Sequence, residues 1–149
     1  MRKFLLPVLN LINVILVSIT WGLSGKTAVI DAGRSDAACG NVYQVIWMGQ
    51  KANVLAIVGF FLFCFACLLM LVAFLPIKAR KFISCAGGLM FVATGVIFLL
   101  ACKPPFYDCG IIEAELTGAL IAMSVLVLCA GAFSLLMSVL DFTAKKESK

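Results

Sequence analysis

Cys64-Phe-Ala-Cys67 has the two-residue spacing with which thiol oxidoreductases and thiolate metal sites hold two sulfurs side by side. Such chemistry needs a thiolate, and a thiolate needs a cation or polar surroundings to carry its charge. Here the pair lies inside an uncharged apolar run over residues 54–75. At 1.5 Å per residue Cys64 sits roughly 15 Å along a helix built on that run, the middle of a membrane span. The spacing therefore reads as two apolar helix thiols rather than a redox or metal centre.

The other five of the seven cysteines divide by position. Cys85 and Cys129 also lie in apolar runs, while Cys39, Cys102 and Cys109 fall in the polar connections. Only this last group suits a structural disulfide in an oxidising compartment. Cys102 and Cys109 can close a tight loop across Pro104-Pro105, or either can tie to Cys39 and join two loops; three cysteines allow one bond and leave one free.

Other chemistries lack parts. Gly22-Leu-Ser-Gly-Lys-Thr27 resembles a phosphate-binding loop in composition but has two residues between its glycines where that loop needs four. The chain has no histidine, which excludes His-bearing zinc, bis-imidazole haem and Ser-His-Asp catalysis. No acidic residue lies within an apolar run, so transport driven by a buried carboxylate has no carrier group. No catalytic residue, metal or cofactor is expected.

What the apolar runs do contain is weakly polar. Asn10 and Asn13, three residues apart, share a helix face with Val17, and amides facing lipid are costly, so this face should point into a bundle. Small and hydroxyl residues at helical spacing should mark further helix contacts: Ser84, Gly88 and Gly95 in one run, Gly118 with Ala122, and Ala130, Ser134 and Ser138 in another. A second use of such residues is to line a polar route, for which Asn10, Asn13, Ser18, Thr20, Thr94 and Ser124 are the candidates. Hydroxyls also satisfy themselves on their own helix carbonyls.

Elements that position these residues follow from hydropathy. Of 149 residues 64% are hydrophobic and only 13% charged, with mean hydropathy +1.15, against about 45–50% and 25% in soluble domains. Charge-free runs cover residues 4–23, 54–75, 82–101 and 116–140, each long enough for the roughly 20-residue helix that crosses a bilayer. The expected fold is an all-α integral membrane protein, a single-domain antiparallel bundle of four transmembrane helices. Met-Arg-Lys before the first run also opens signal peptides, but that run exceeds the usual h-region and holds Pro7, Asn10 and Asn13, so it reads as a retained helix.

Basic residues set the expected orientation. Arg2, Lys3, Lys78, Arg80, Lys81, Lys145, Lys146 and Lys149 fall on one side, with Lys26, Arg34, Lys51 and Lys103 on the other, so both termini and the 76–81 connection should be cytoplasmic. The tails are residues 1–3 and 141–149, and the outer loops are 24–53 and 102–115. The net charge of +5 expresses this topology and implies no nucleic-acid partner. In the first outer loop, Thr27–Ile30 and the stretch from Asn41 to Met48 suggest a small two-stranded ribbon, with Tyr43 and Trp47 as interfacial side chains. Phe106 and Tyr107 offer similar contacts in the second. Glu113 and Glu115 are expected in the first turn of the last helix, where a carboxylate suits the partial positive charge.

Two resemblances bear on function. The inventory of four helices, a C-x-x-C and outer cysteines is similar to quinone-linked disulfide-forming membrane proteins, although their pair belongs near the outer surface. The layout, with tails inside, a long first outer loop and a short second one, is similar to claudin-type tetraspans, but only Trp21-Gly22-Leu23 and a single loop cysteine stand where that family has Gly-Leu-Trp and two cysteines. The resulting expectation is a non-catalytic tetraspan in a cell or plasma membrane. Its outer loops and helix faces would bind other membrane proteins or a second copy, as interaction component or accessory subunit. An oligomeric conduit for a small polar solute and, more weakly, a thiol-disulfide oxidoreductase are the alternatives.

Overall fold

The computed structural model describes residues 2–31, 37–41, 54–75, 78–101 and 114–144. Its elements are α1 (Arg2–Ser24), β1 (Thr27–Asp31), β2 (Ala37–Asn41), α2 (Val54–Val72), α3 (Arg80–Ala101), β3 (Ala114–Leu116) and α4 (Gly118–Ala144). All four helices are long and apolar enough to cross a membrane.

Their ends follow local chemistry. Pro7, which lacks an N–H, lies near the start of α1 where it removes little of the helical ladder. At the far end the Ser24 hydroxyl donates to the Trp21 carbonyl at 2.6 Å, and Lys26 N–H donates to Leu23 at 2.9 Å, turning the chain into β1. The last turn of α2 tightens to three-residue bonds, Phe74 to Leu71 and Leu75 to Val72, just before Pro76. Thr117 caps α4, its hydroxyl accepting from Leu120 N–H at 3.3 Å. That cap starts α4 at Gly118, and Glu115 is thereby left in β3 rather than in a helical first turn.

Between the helices the expected two-stranded ribbon is a three-stranded antiparallel sheet of order β2-β1-β3. β1 pairs with β2 from Thr27↔Asn41 to Asp31↔Ala37 and with β3 from Val29↔Leu116 to Asp31↔Ala114. The second strand lies at 37–41, ahead of most of the stretch expected to supply it, and residues 42–53 are outside the described residues. Two register shifts in the β1–β2 ladder flank Val29, and the second of them puts Cys39 at a bulge between Ala38 and Gly40.

Helix packing centres on α3. Its Phe91 and Phe98 meet Phe63 of α2 edge-on at 6.1 and 6.3 Å between ring centroids, and Phe63 also meets Trp21 of α1 at 5.2 Å. The other side of α3 lies against α4 with almost no space between backbones. A Cβ placed on Gly88 would stand 3.0 Å from the Gly131 carbonyl oxygen, one on Gly131 would stand 2.9 Å from that of Gly88, and one on Gly95 3.1 Å from that of Ser124. Gly88 and Gly95 are a heptad apart, as are Ser124, Gly131 and Ser138, so the two sequences present matching small-residue seams. As the chain advances along α3 from Gly88 to Gly95, its neighbours on α4 step back from Gly131 to Ser124.

Polarity is distributed inside out. Asn10, Asn13, Thr20, Ser84, Thr94, Ser124, Ser134 and Ser138 are buried, whereas Leu11, Ile15, Phe61, Phe65, Leu68, Leu89, Val125 and Val139 are exposed. Helix α2 carries both kinds of phenylalanine: Phe63 is buried while Phe61, Phe65 and Phe74 face outward.

Replacing Gly131 by Val forces side-chain volume against the α3 backbone and is expected to lower stability by roughly 1–3 kcal/mol. Gly118→Ala, with nothing within 4 Å of its Cβ position, should change it by less than about 0.5 kcal/mol. Denaturant titration in detergent micelles reads both, and equal effects would refute the seam.

Candidate functional site

The described buried polar groups gather at two levels of the bundle. Asn13, fully buried, donates through Nδ2 to Ser134 Oγ at 2.9 Å, joining positions 121 apart in sequence. Asn10 is buried one turn earlier in α1, and Ser138 one turn later in α4, where its hydroxyl donates to the Lys81 carbonyl at 2.8 Å. That bond adds a second donor to a carbonyl in the first turn of α3, so Ser138 joins α4 to the third helix.

At the end of the bundle where α4 terminates, the Arg80 guanidinium holds the Asp141 carboxylate through Nε at 2.9 Å and Nη2 at 3.1 Å. Each charge stands at the unfavourable end of its own helix: a cation at the start of α3 and an anion in the last turn of α4. Pairing offsets both, and the bidentate geometry fixes the direction of the pair. Beside it the Lys81 ammonium lies 5.0 Å from the Phe82 ring centre and 4.3 Å from that of Phe142, two rings packed edge to face at 5.3 Å. Sequence reading placed Arg80 and Asp141 outside the helices, because charge ended the apolar runs; the pair lets α3 start earlier and α4 run to Ala144.

A second polar patch lies higher in the bundle. Thr94 and Ser124 are fully buried on α3 and α4, and the carbonyl of Ser124 is the group that approaches Gly95. Thr20 is also buried, its hydroxyl donating to the Leu16 carbonyl of its own helix at 2.8 Å. Ser18, the remaining candidate for a polar route, faces outward. Between the two patches Val17, Phe63, Phe91, Val127 and Ala130 form one buried apolar cluster.

The residues expected at helix contacts therefore separate into two sets. Asn10, Asn13, Ser84, Gly88, Gly95, Ala130, Ser134 and Ser138 are buried. Gly118 and Ala122 have the right spacing but the wrong phase, since Ala122 is exposed and the space around Gly118 is open. Gly131 and Gly59 were missed. Gly131 repeats the heptad of Ser124 and Ser138, a signal present in the sequence, whereas Gly59 is recognisable only from Ile97, whose Cγ2 would lie 2.7 Å from its Cβ.

The four described cysteines are free thiols, with Cys64, Cys67 and Cys85 half-buried and Cys129 exposed. Cys67 packs against the buried apolar cluster that includes Phe63, a packing role for one member of the C-x-x-C pair. The disulfide expected among Cys39, Cys102 and Cys109 lies outside the described residues: only the backbone of Cys39, in β2, is described. Tyr43, Trp47, Phe106 and Tyr107 lie outside them too. Among the described residues no group of three His, Cys, Asp or Glu converges on a metal position.

Four helices long and apolar enough to cross a membrane suggest a multi-pass membrane protein, here with a polar bond between α1 and α4. Compared with known protein families, curated proteins and solved structures, the chain matches none.

Arg80→Gln and Asp141→Asn should each cost on the order of 1 kcal/mol, and the double substitution should cost less than their sum, because each alone strands a half-buried charge. A double-mutant cycle by thermal unfolding in micelles measures the coupling. Strict additivity would mean that the two side chains act independently.

Proposed function

We propose that this chain is a non-catalytic tetraspan, an antiparallel bundle of four transmembrane helices with both termini in the cytoplasm of a plasma or cell membrane. It acts as an interaction component or accessory subunit, through its outer loops and helix faces, for other membrane proteins or a second copy of itself. The observation that carries this reading is the use made of the polar groups. Asn13 joins Ser134 and Ser138 joins Lys81, so they hold helices together, and an apolar cluster around Phe63, Phe91 and Val127 fills the level between the two polar patches. Large apolar side chains turned outward on every helix suit lipid or another membrane helix. The sheet drawn from both outer connections gives the outer side an ordered backbone platform, and a single disulfide among Cys39, Cys102 and Cys109 would fasten it.

The alternative, an oligomeric conduit for a small polar solute, draws support from the buried Asn10, Asn13, Thr94 and Ser124 oxygens that have no protein partner. Reconstitution distinguishes the two. Proteoliposomes carrying the chain are expected to stay as impermeable to ions and small polar solutes as empty vesicles, and a protein-dependent leak would favour the conduit. Non-reducing peptide mapping should find one bond within the outer cysteine set. Replacing all three with Ser should abolish capture of a membrane partner identified by cross-linking, and unchanged capture would remove the outer platform from the reading.

A further inference from the structure

Among the described residues, four buried side-chain oxygens have no hydrogen-bond partner: Asn10 Oδ1, Asn13 Oδ1, Thr94 Oγ1 and Ser124 Oγ. They are not equivalent. A hydroxyl can turn and donate to the carbonyl one turn back in its own helix, as Thr20 does to Leu16, so Thr94 and Ser124 have a local remedy. An amide oxygen only accepts, so a donor has to be brought to it. Turning the Asn13 amide over merely exchanges which end is stranded, because the other end is held by Ser134.

Asn10 and Asn13 are 5% and 0% exposed. Three residues apart, they stand one above the other on α1, with Cβ atoms about 5–6 Å apart, a separation that one small molecule between their oxygens can bridge. On α4, Ser134, Ser138 and Asp141 recur at four and three residues and so share one face, along which Ser134 meets Asn13 of α1 while Ser138 and Asp141 meet Lys81 and Arg80 of α3. Polarity is graded along it. The Arg80–Asp141 pair, with side chains 27% and 18% exposed, stands at the outer end; buried Ser138 and Ser134 follow, and buried Ala130 and Val17 end the polar stretch.

We infer that the α1–α4 seam is a blind, hydrated inlet in which a water bridges Asn10 Oδ1 and Asn13 Oδ1, reached from the Arg80–Asp141 end. Both oxygens are too deeply buried to accept a side chain from a second copy. A cation is disfavoured, because Asp141, the carboxylate in the last turn of α4, is already paired with Arg80. Water matches the site: it brings one donor for each amide oxygen and keeps an acceptor, and buried waters typically make about three hydrogen bonds. The inlet goes beyond the interaction role proposed above and rests only on the helix packing and on α1 and α4 crossing a bilayer.

The test is water-edited nuclear magnetic resonance on the full chain in phosphatidylcholine nanodiscs with 15N-asparagine. The sequence contains four asparagines, at 10, 13, 41 and 53, and Ser134→Ala, which alters the partner of Asn13 alone, assigns its amide without disturbing α1. Magnetisation from water should reach the Asn13 side-chain amide at mixing times too short for transfer from acyl-chain protons. Asn10→Leu should reduce that transfer on the order of tenfold, the effect of losing one anchor of the bridging water. Transfer to Asn13 from acyl-chain protons alone would overturn the inlet, and transfer unchanged in Asn10→Leu would overturn the bridge. If Asn10→Leu does not fold, Asn10→Ser, smaller and polar, must still lower the transfer. Vesicle permeability does not enter this readout, so a dry seam leaves the interaction role standing.

Discussion

Backbone meets backbone where α3 crosses α4, and the remaining packing is arranged around that contact. Gly88 and Gly131 each occupy the space where the other's Cβ would stand, and Gly95 does the same against the carbonyl of Ser124. Close approach of this kind multiplies dispersion contacts between two helices that gain nothing from a hydrophobic effect if lipid is their solvent. It also fixes rotation. With the glycine face of α3 against α4, Phe91 and Phe98 must turn toward α2, and with Gly131 facing α3, Ser134 is left to meet α1.

Rotation so determined explains why polar residues end up inside. The same α4 turn that places Ser138 under the Lys81 carbonyl brings Asp141 to Arg80. One face of α4 thus serves two neighbours, and charge remains only where the helices end. The dipole mismatch at each terminus is tolerated because the two mismatches are opposite in sign and adjacent in space.

Existence and type of the four helices were legible in the sequence, since uninterrupted apolar runs of this length have few other readings. Their boundaries were less so. The last run was expected to stop at Leu140 because Asp141 is charged, yet a carboxylate with a guanidinium beside it can stay helical, and the start moved from 116 to Gly118 because Thr117 caps the helix. Periodicity identified Gly88, Gly95, Ser134 and Ser138, but periodicity carries no phase across helices, and Gly118 and Ala122 repeat just as well on the outer face. The inward direction of Asn10 and Asn13 could be read from the cost of an amide facing lipid. That Ser134 would receive Asn13 could not, because nothing local in either helix encodes a pairing across 121 positions. The sheet was obscured for the same reason, its third strand arriving from the far end of the chain.

That distance gives the fold an order in time. Helices α2, α3 and α4 each pack on the helix that precedes or follows them, while α1 makes its main contact with α4 and β1 pairs with β3. Chains are synthesised from the amino end at roughly 5–20 residues per second, so the first helix made is the one whose partner is made last. Until α4 emerges, Asn13 has no Ser134 and the central strand lacks one of its two neighbours. A truncation anywhere before residue 114 leaves α1 and its two amides without their seat, which makes the first helix the natural marker of whether α4 has been made.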